Sequence, residues 1–171
     1  MSDPFELLGV ARRFTLDRAA LEQRHRDLSR ALHPDRFVQA PPGERRIALE
    51  RAVAVNEAFR ALRDPLTRAE ALLAAHGLRL GDADRPAPAL LMEVMELREA
   101  LDDARRSPER VSALLAQVRA RSAAEEALLA AAFDGGSAAP GEAALGRARD
   151  AVVRLKYFRR FEEEADAALD T

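Results

Sequence analysis

The sequence predicts an all-α fold made of two helical units: a helical hairpin near the N-terminus, then a C-terminal three-helix bundle. Three observations carry that prediction. Alanine, leucine, arginine and glutamate, all good helix formers, dominate the chain, and β-branched residues are few. No stretch alternates apolar and polar residues with period two for long enough to make a strand. Apolar residues instead recur at helical spacing, in blocks that open on capping residues or proline and stop at glycine.

In chain order, a short helix covers Pro4 to Leu8 and stops at Gly9. The next opens after Asp17, a good N-cap, and runs to about Leu32. Its apolar positions Leu21, Leu28 and Leu32 form one stripe, with His25 in the same row. The helix breaks at His33-Pro34-Asp35, because a proline disfavours helical backbone at the residue before it. A loop continues to Pro41-Pro42-Gly43. A second long helix follows, roughly Glu44 to Leu62, with Ile47, Val55, Phe59 and Leu62 on one face. Asp64-Pro65 then restarts a helix, with Asp as N-cap and Pro at the first helical position. It ends near His76-Gly77.

Leu78 to Pro88 holds Gly81, two aspartates and two prolines, and reads as the linker. It divides the chain into 1–77 and 89–171. Each part is small for an independent domain, so the two are expected to pack on each other. The second part reads as a helix over about Ala89 to Arg105 and another opening at Ser107-Pro108-Glu109 and reaching about Phe133. A glycine-rich loop around Gly135-Gly136-Ser137 follows, then a last helix from about Glu142 to Leu169. Three helices with short connections predict an antiparallel bundle.

Composition narrows the chemistry. The formal net charge is −2, so no global basic field gathers nucleic acid. Cysteine is absent, which excludes disulfides, thiolate catalysis and cysteine metal sites. His25, His33 and His76 lack metal-ligand spacing, and no metal or other bound cofactor is expected. Positive charge is almost all arginine, with Lys156 the single lysine. No apolar run approaches the ~20 residues that span a bilayer. The opening Met1-Ser2-Asp3-Pro4 is unlike a signal peptide, and a cytoplasmic protein is expected. No nucleophile accompanies His33 at a recognisable spacing, so no enzyme is expected.

His33-Pro34-Asp35 is a weak signal alone. Its setting makes it specific: it ends an apolar-periodic helix, precedes a helix of matching length, and lies between PFELLGV (4–10) and NEAFRALRDP (56–65). Pro34 fixes its own backbone and withholds a donor. That presents Asp35 as an exposed acceptor for a partner arginine. The segment resembles the J-domain. The resemblance implies that this loop and the helix before it dock on a DnaK-like chaperone and stimulate its ATP hydrolysis. In that family the helix shows a basic face, here supplied by Arg24, Arg26 and Arg30, with Arg36 just past the loop. Glu22 and Asp27 interrupt it. His25 departs from the pattern, since an aromatic is common there, and is read as a partly buried packing residue.

A second surface lies on LMEVMELREALDD (91–103). At about 100° per residue, Leu90, Val94, Leu97 and Leu101 fall within about 60° of one another, a sufficient core stripe. Leu91, Met92 and Met95 lie outside its centre, beside Glu96, Glu99 and Asp103. An apolar patch rimmed by acids, on a helix that already has a core face, suggests a partner site, and methionine suits adaptable recognition. Periodicity leaves open whether the rest of the chain covers it.

The succession of J-domain, DPLTRAEALLAAHG (64–77) and this helix is similar to the HscB family, the specialised J-proteins of bacterial iron–sulfur cluster assembly. The likeness is strong at 4–10, 24–37, 56–77 and 90–103 and weak from 105 to 150. It implies a chaperone partner of the HscA type and a client, the iron–sulfur scaffold IscU, held by the helix resembling 91–103. A residue of the last helix adds to that site: by position Tyr157, with Phe158 the alternative. Two other readings stand beside it: a J-domain protein serving another client, and a structural helical protein whose 91–103 face closes a homodimer.

Overall fold

A computed structural model describes residues 3–81, 86–135 and 139–170. Within them the chain forms seven α-helices: α1 (Pro4–Leu8), α2 (Arg18–Ala31), α3 (Pro42–Arg63), α4 (Pro65–Ala75), α5 (Pro88–Ala104), α6 (Pro108–Phe133) and α7 (Glu142–Leu169). A single 3-10 turn, Pro34–Phe37, stands between α2 and α3. The chain divides into two compact units, Met1–Gly77 and Leu78–Thr171. Part of the segment read as a linker, residues 82–85, and part of the glycine-rich loop, residues 136–138, lie outside the described residues. Pro88, read as the linker's end, is the first residue of α5.

The helix ends sit where capping chemistry puts them. The Asp17 carboxylate accepts from the backbone N–H groups of Ala19 and Ala20, and that of Asp64 accepts from Thr67 at 2.9 Å. Ser107 caps α6. Gly9 and Gly77 close their helices at φ 63° and 81°, left-handed backbone that a side chain would strain. A second start, besides that of α5, differs from expectation. The third helix opens at Pro42 rather than near Glu44, because proline, whose fixed φ suits the first turn, needs no hydrogen-bond partner there.

In the first unit the core gathers Phe5 and Leu8 of α1, Leu21 of α2, Ala48, Val55, Ala58 and Leu62 of α3, and Leu66, Ala69, Leu72 and Leu73 of α4. The α3 stripe runs through small residues that carry little hydrophobic signal. Ile47, expected on the buried face, is 47% exposed, and Ala48 takes the inward place. From α2 only Leu21 is fully buried, while Leu28 and Leu32 are half-buried.

In the second unit, Leu90, Val94, Leu97 and Leu101 of α5 meet Val111, Leu115 and Val118 of α6 and Phe158, Phe161 and Ala165 of α7. The cross-helix bonds give the directions. Glu125 faces Arg154, Ser122 binds Glu162 and Arg119 binds Asp166, so α6 and α7 are antiparallel. Glu93 pairs with Arg154 and Arg98 with Glu164, so α5 and α7 are parallel.

Candidate functional site

The first candidate is the corner between α2 and α3. His33 has extended backbone, φ −61° and ψ 133°, which the following proline requires. Leu32 caps α2 through its N–H to the Leu28 carbonyl, and the chain turns once as a 3-10 helix in which Arg36 N–H donates to the His33 carbonyl at 3.0 Å. A single such turn has no periodicity, so the sequence showed it only as a loop. The Asp35 N–H points at His33 Nδ1, 3.4 Å away. The same nitrogen lies 3.4 Å from Asp35 Oδ2. The Asp35 side chain is 85% exposed, leaving its oxygens open to a partner.

Arg24, Arg26, Arg30 and Arg36 are all exposed. Arg24, Arg30 and Arg36 make no ion pair among the described residues, while Arg26 leans toward Gln23 and Glu22. Glu22 is engaged chiefly by Arg18, whose hydrogen bond holds the Glu22 carboxyl below its usual range. Asp27 accepts from Gln23 at 2.9 Å. The acids that interrupt the basic face are thus occupied within the helix.

His25 stacks on Phe59 of α3, ring centroids 4.1 Å apart at 14°, and its Nε2 lies 2.8 Å from Asn56 Oδ1. The ring fills an aromatic place and adds a polar tie across the α2–α3 hairpin.

The second candidate is the outer face of α5. Leu91, Met92 and Met95 are 43%, 63% and 62% exposed. Glu96, Glu99 and Asp103 are exposed beside them. The inner stripe Leu90–Val94–Leu97–Leu101 is buried, as periodicity required. Met92 and Met95 are two of the chain's three methionines. The two α7 candidates differ in burial. Phe158 is 1% exposed and belongs to the core, whereas Tyr157 packs on the edge of that core and is half-buried.

Helix register relates Tyr157 to the patch. Arg98 of α5 binds Glu164 of α7, and the helices are parallel. One heptad earlier on each, on the same face, stand Leu91 and Tyr157. The tyrosine is therefore level with the N-terminal end of the apolar patch.

The ties that hold α5 are the residues sequence reasoning missed. Glu93 Oε1 accepts from Arg121 of α6 at 2.8 Å, and Oε2 from Arg154 of α7 at 3.1 Å. Arg154 Nε also faces Glu125 Oε1 at 3.6 Å. Burial pushes the Glu125 carboxyl up against the pull of Arg154, and the charges of Glu93 and Asp150 push the same way. Partners 28 to 61 residues apart leave no local pattern to read. No cluster of histidine, aspartate or glutamate among the described residues is arranged to hold a metal, and no described helix is long and apolar enough to cross a membrane.

A helix, a His-Pro-Asp corner and a returning helix, followed in the chain by a separate helical unit, define a J-domain protein with a C-terminal helical domain. Residues 86–166 match the family model of the HSCB C-terminal oligomerisation domain. The chain is 38% identical to a co-chaperone protein HscB homolog from Cupriavidus taiwanensis, over 98% of this chain and 94% of that one. Among solved structures, it superposes on the chaperone HscB from Vibrio cholerae with a TM-score of 0.84 at 30% identity, covering 99% and 98% of the two chains. The human co-chaperone HscB gives 0.85 at 27%, covering 98% and 82%. The chain belongs to the HscB family of co-chaperones.

Proposed function

We propose that this protein is a two-ended adaptor: its His33-Pro34-Asp35 corner docks on a DnaK-like chaperone of the HscA type and stimulates its ATPase, while the outer face of α5 carries the iron–sulfur scaffold IscU to it for cluster maturation and transfer. The observation that carries the reading is the pairing of an exposed Asp35 beside unpaired arginines in one unit with an exposed, acid-rimmed apolar patch in the other. Chaperone contacts are assigned to His33, Pro34, Asp35, Arg24, Arg26, Arg30 and Arg36. Scaffold contacts are assigned to Leu91, Met92, Met95, Glu96, Glu99, Asp103 and Tyr157. The protein itself performs no chemistry in this reading and acts in the cytoplasm.

Magnitudes favour a client that is held and then released. Burying Leu91, Met92 and Met95 contributes about 1.5–3 kcal/mol each at best, and association costs at least about 4 kcal/mol before any ordering penalty. The apolar patch alone binds weakly. The rim acids must meet basic groups on the client, which adds orientation and speed of encounter more than tightness.

The test follows phosphate release by the chaperone with and without scaffold. His33→Gln is expected to reduce stimulation to the chaperone's own rate; retained stimulation defeats the docking role of the corner. Replacing Met92 and Met95 together by alanine is expected to weaken scaffold binding about ten-fold or more. Unchanged affinity removes the second site, and concentration-dependent dimerisation through that face would favour the structural reading instead.

A further inference from the structure

We propose that Glu93, through its two-armed bridge to Arg121 and Arg154, is a positioning residue that sets the rotation of α5 and so places the exposed face of Leu91, Met92 and Met95 for its partner. The inference rests on the adaptor reading for the partner's identity, though not for the geometry.

The apolar stripe of α5 fixes which side of the helix faces inward, but an apolar contact is not directional. Directional bonds lie at the stripe's two edges. Glu93 stands about 70° from its centre on one side and Arg98 about 70° on the other. Glu93 reaches both partner helices, at 2.8 Å and 3.1 Å, and Arg98 holds Glu164 of α7 with two nitrogens, at 3.2 Å and 2.6 Å. Bonds on opposite edges resist rolling in both directions.

The two ties are unequal. Arg98 and Glu164 are about half exposed, at 50% and 43%, where solvent weakens ion pairs. Glu93 is more sheltered at 27%, and Arg154 is shared with Glu125, exposed by only 16%. Glu93 also stands between Met92 and Met95 in the chain while pointing toward the bundle, so it touches the partner helices rather than the face it positions.

The experiment uses the full chain and a purified IscU-type scaffold. Glu93→Gln keeps the shape and removes the charge, and Arg121→Gln removes one arm; far-ultraviolet circular dichroism confirms that both fold. Each is expected to weaken scaffold binding about three- to ten-fold. The deciding measurement repeats Glu93→Gln in a chain already carrying Met92→Ala and Met95→Ala. A positioning residue loses most of its effect there, because two of the three side chains that it places are truncated. A full effect in that background means direct contact and overturns the proposal.

The protein has one tyrosine and no tryptophan, so iodide quenching of tyrosine emission reports Tyr157 alone. Glu93→Gln is expected to change that quenching in the free protein. Unchanged quenching overturns the proposal. If the methionine substitutions leave scaffold affinity intact, the adaptor reading fails, and the quenching result alone decides the role of Glu93.

Discussion

The two units spend their charged residues differently. In the first, ion pairs are local: Arg18 and Arg26 with Glu22 and Arg46 with Glu50 are one helical turn apart, and Arg12 reaches only to Asp3 and Glu6. In the second, apart from the local pair of Arg105 with Asp102, they run between helices: Glu93 to Arg121 and Arg154, Arg98 to Glu164, Arg119 to Asp166. Local pairs tidy a surface without tying helices together, and they leave arginines facing outward. Across the α2–α3 hairpin the polar tie is His25 to Asn56, set on an aromatic stack. Cross-helix pairs instead lock directions. The unit with the His-Pro-Asp corner leaves Arg24, Arg30 and Arg36 outside any ion pair among the described residues, and the unit with the exposed apolar face uses charges as struts between its helices.

The contrast can be broken at several strengths. The largest effect is expected from Leu101→Ala. Leu101 is 1% exposed in the α5 stripe, and truncation there costs about 2–5 kcal/mol. Hydrogen exchange should show α5 losing protection first, because struts cannot replace the core they surround. Next is His25→Ala, expected to cost about 1–2 kcal/mol through the stack and its polar tie. His25→Phe should recover the part due to stacking. If histidine and phenylalanine prove equal in denaturant melts, the bond to Asn56 contributes nothing.

Glu125 gives a pH-dependent prediction with a definite sign. Folding raises its carboxyl pKa, so the folded state binds that proton more tightly than the unfolded chain. The associated stability is present below the ordinary glutamate range and is lost as pH rises through the folded value. Glu125→Gln should therefore gain in melting temperature relative to the parent between about pH 4 and pH 7. A relative gain by the parent would show that the strut to Arg154 outweighs burial. The smallest effect belongs to Arg46→Ala. Its pair with Glu50 is exposed on both sides, and the melting free energy should move by no more than about 0.5 kcal/mol. A larger loss would mean that local pairs do support the first unit.

Much of this fold was legible because its helix ends are written in residues whose chemistry acts locally. Asp17, Asp64-Pro65, Ser107-Pro108, Gly9 and Gly77 mark boundaries without reference to the rest of the chain. The inner and outer faces of α5 followed from helical period alone. Ile47 was misplaced because its neighbour Ala48 is a weak hydrophobic signal and a strong packing residue. The 3-10 turn at the corner was invisible because one turn has no period. The bridges of Glu93 were out of reach for another reason. Their partners meet only after the α6–α7 hairpin aligns, and alignment is a property of packing rather than of any window of sequence. Packing likewise gives the adjacent residues Tyr157 and Phe158 different burial, the first half-buried at the edge of the core and the second within it.

The parallel course of α5 and α7, with Leu91 level with Tyr157 and Arg98 bound to Glu164, constrains how the chain can change in length. Inserting one residue between positions 91 and 98 would turn everything beyond it by about 100° and shift it by about 1.5 Å. That would part Arg98 from Glu164 or Leu91 from Tyr157. An insertion of seven residues would nearly restore the angle, but would stretch the patch by about 10 Å. Length is therefore free to vary in the connections around Arg105–Ser107 and before Glu142, and closed to variation inside the α5 face. Relatives of this chain should differ by insertion at those joints, while the spacing from Leu91 to Arg98 stays at seven.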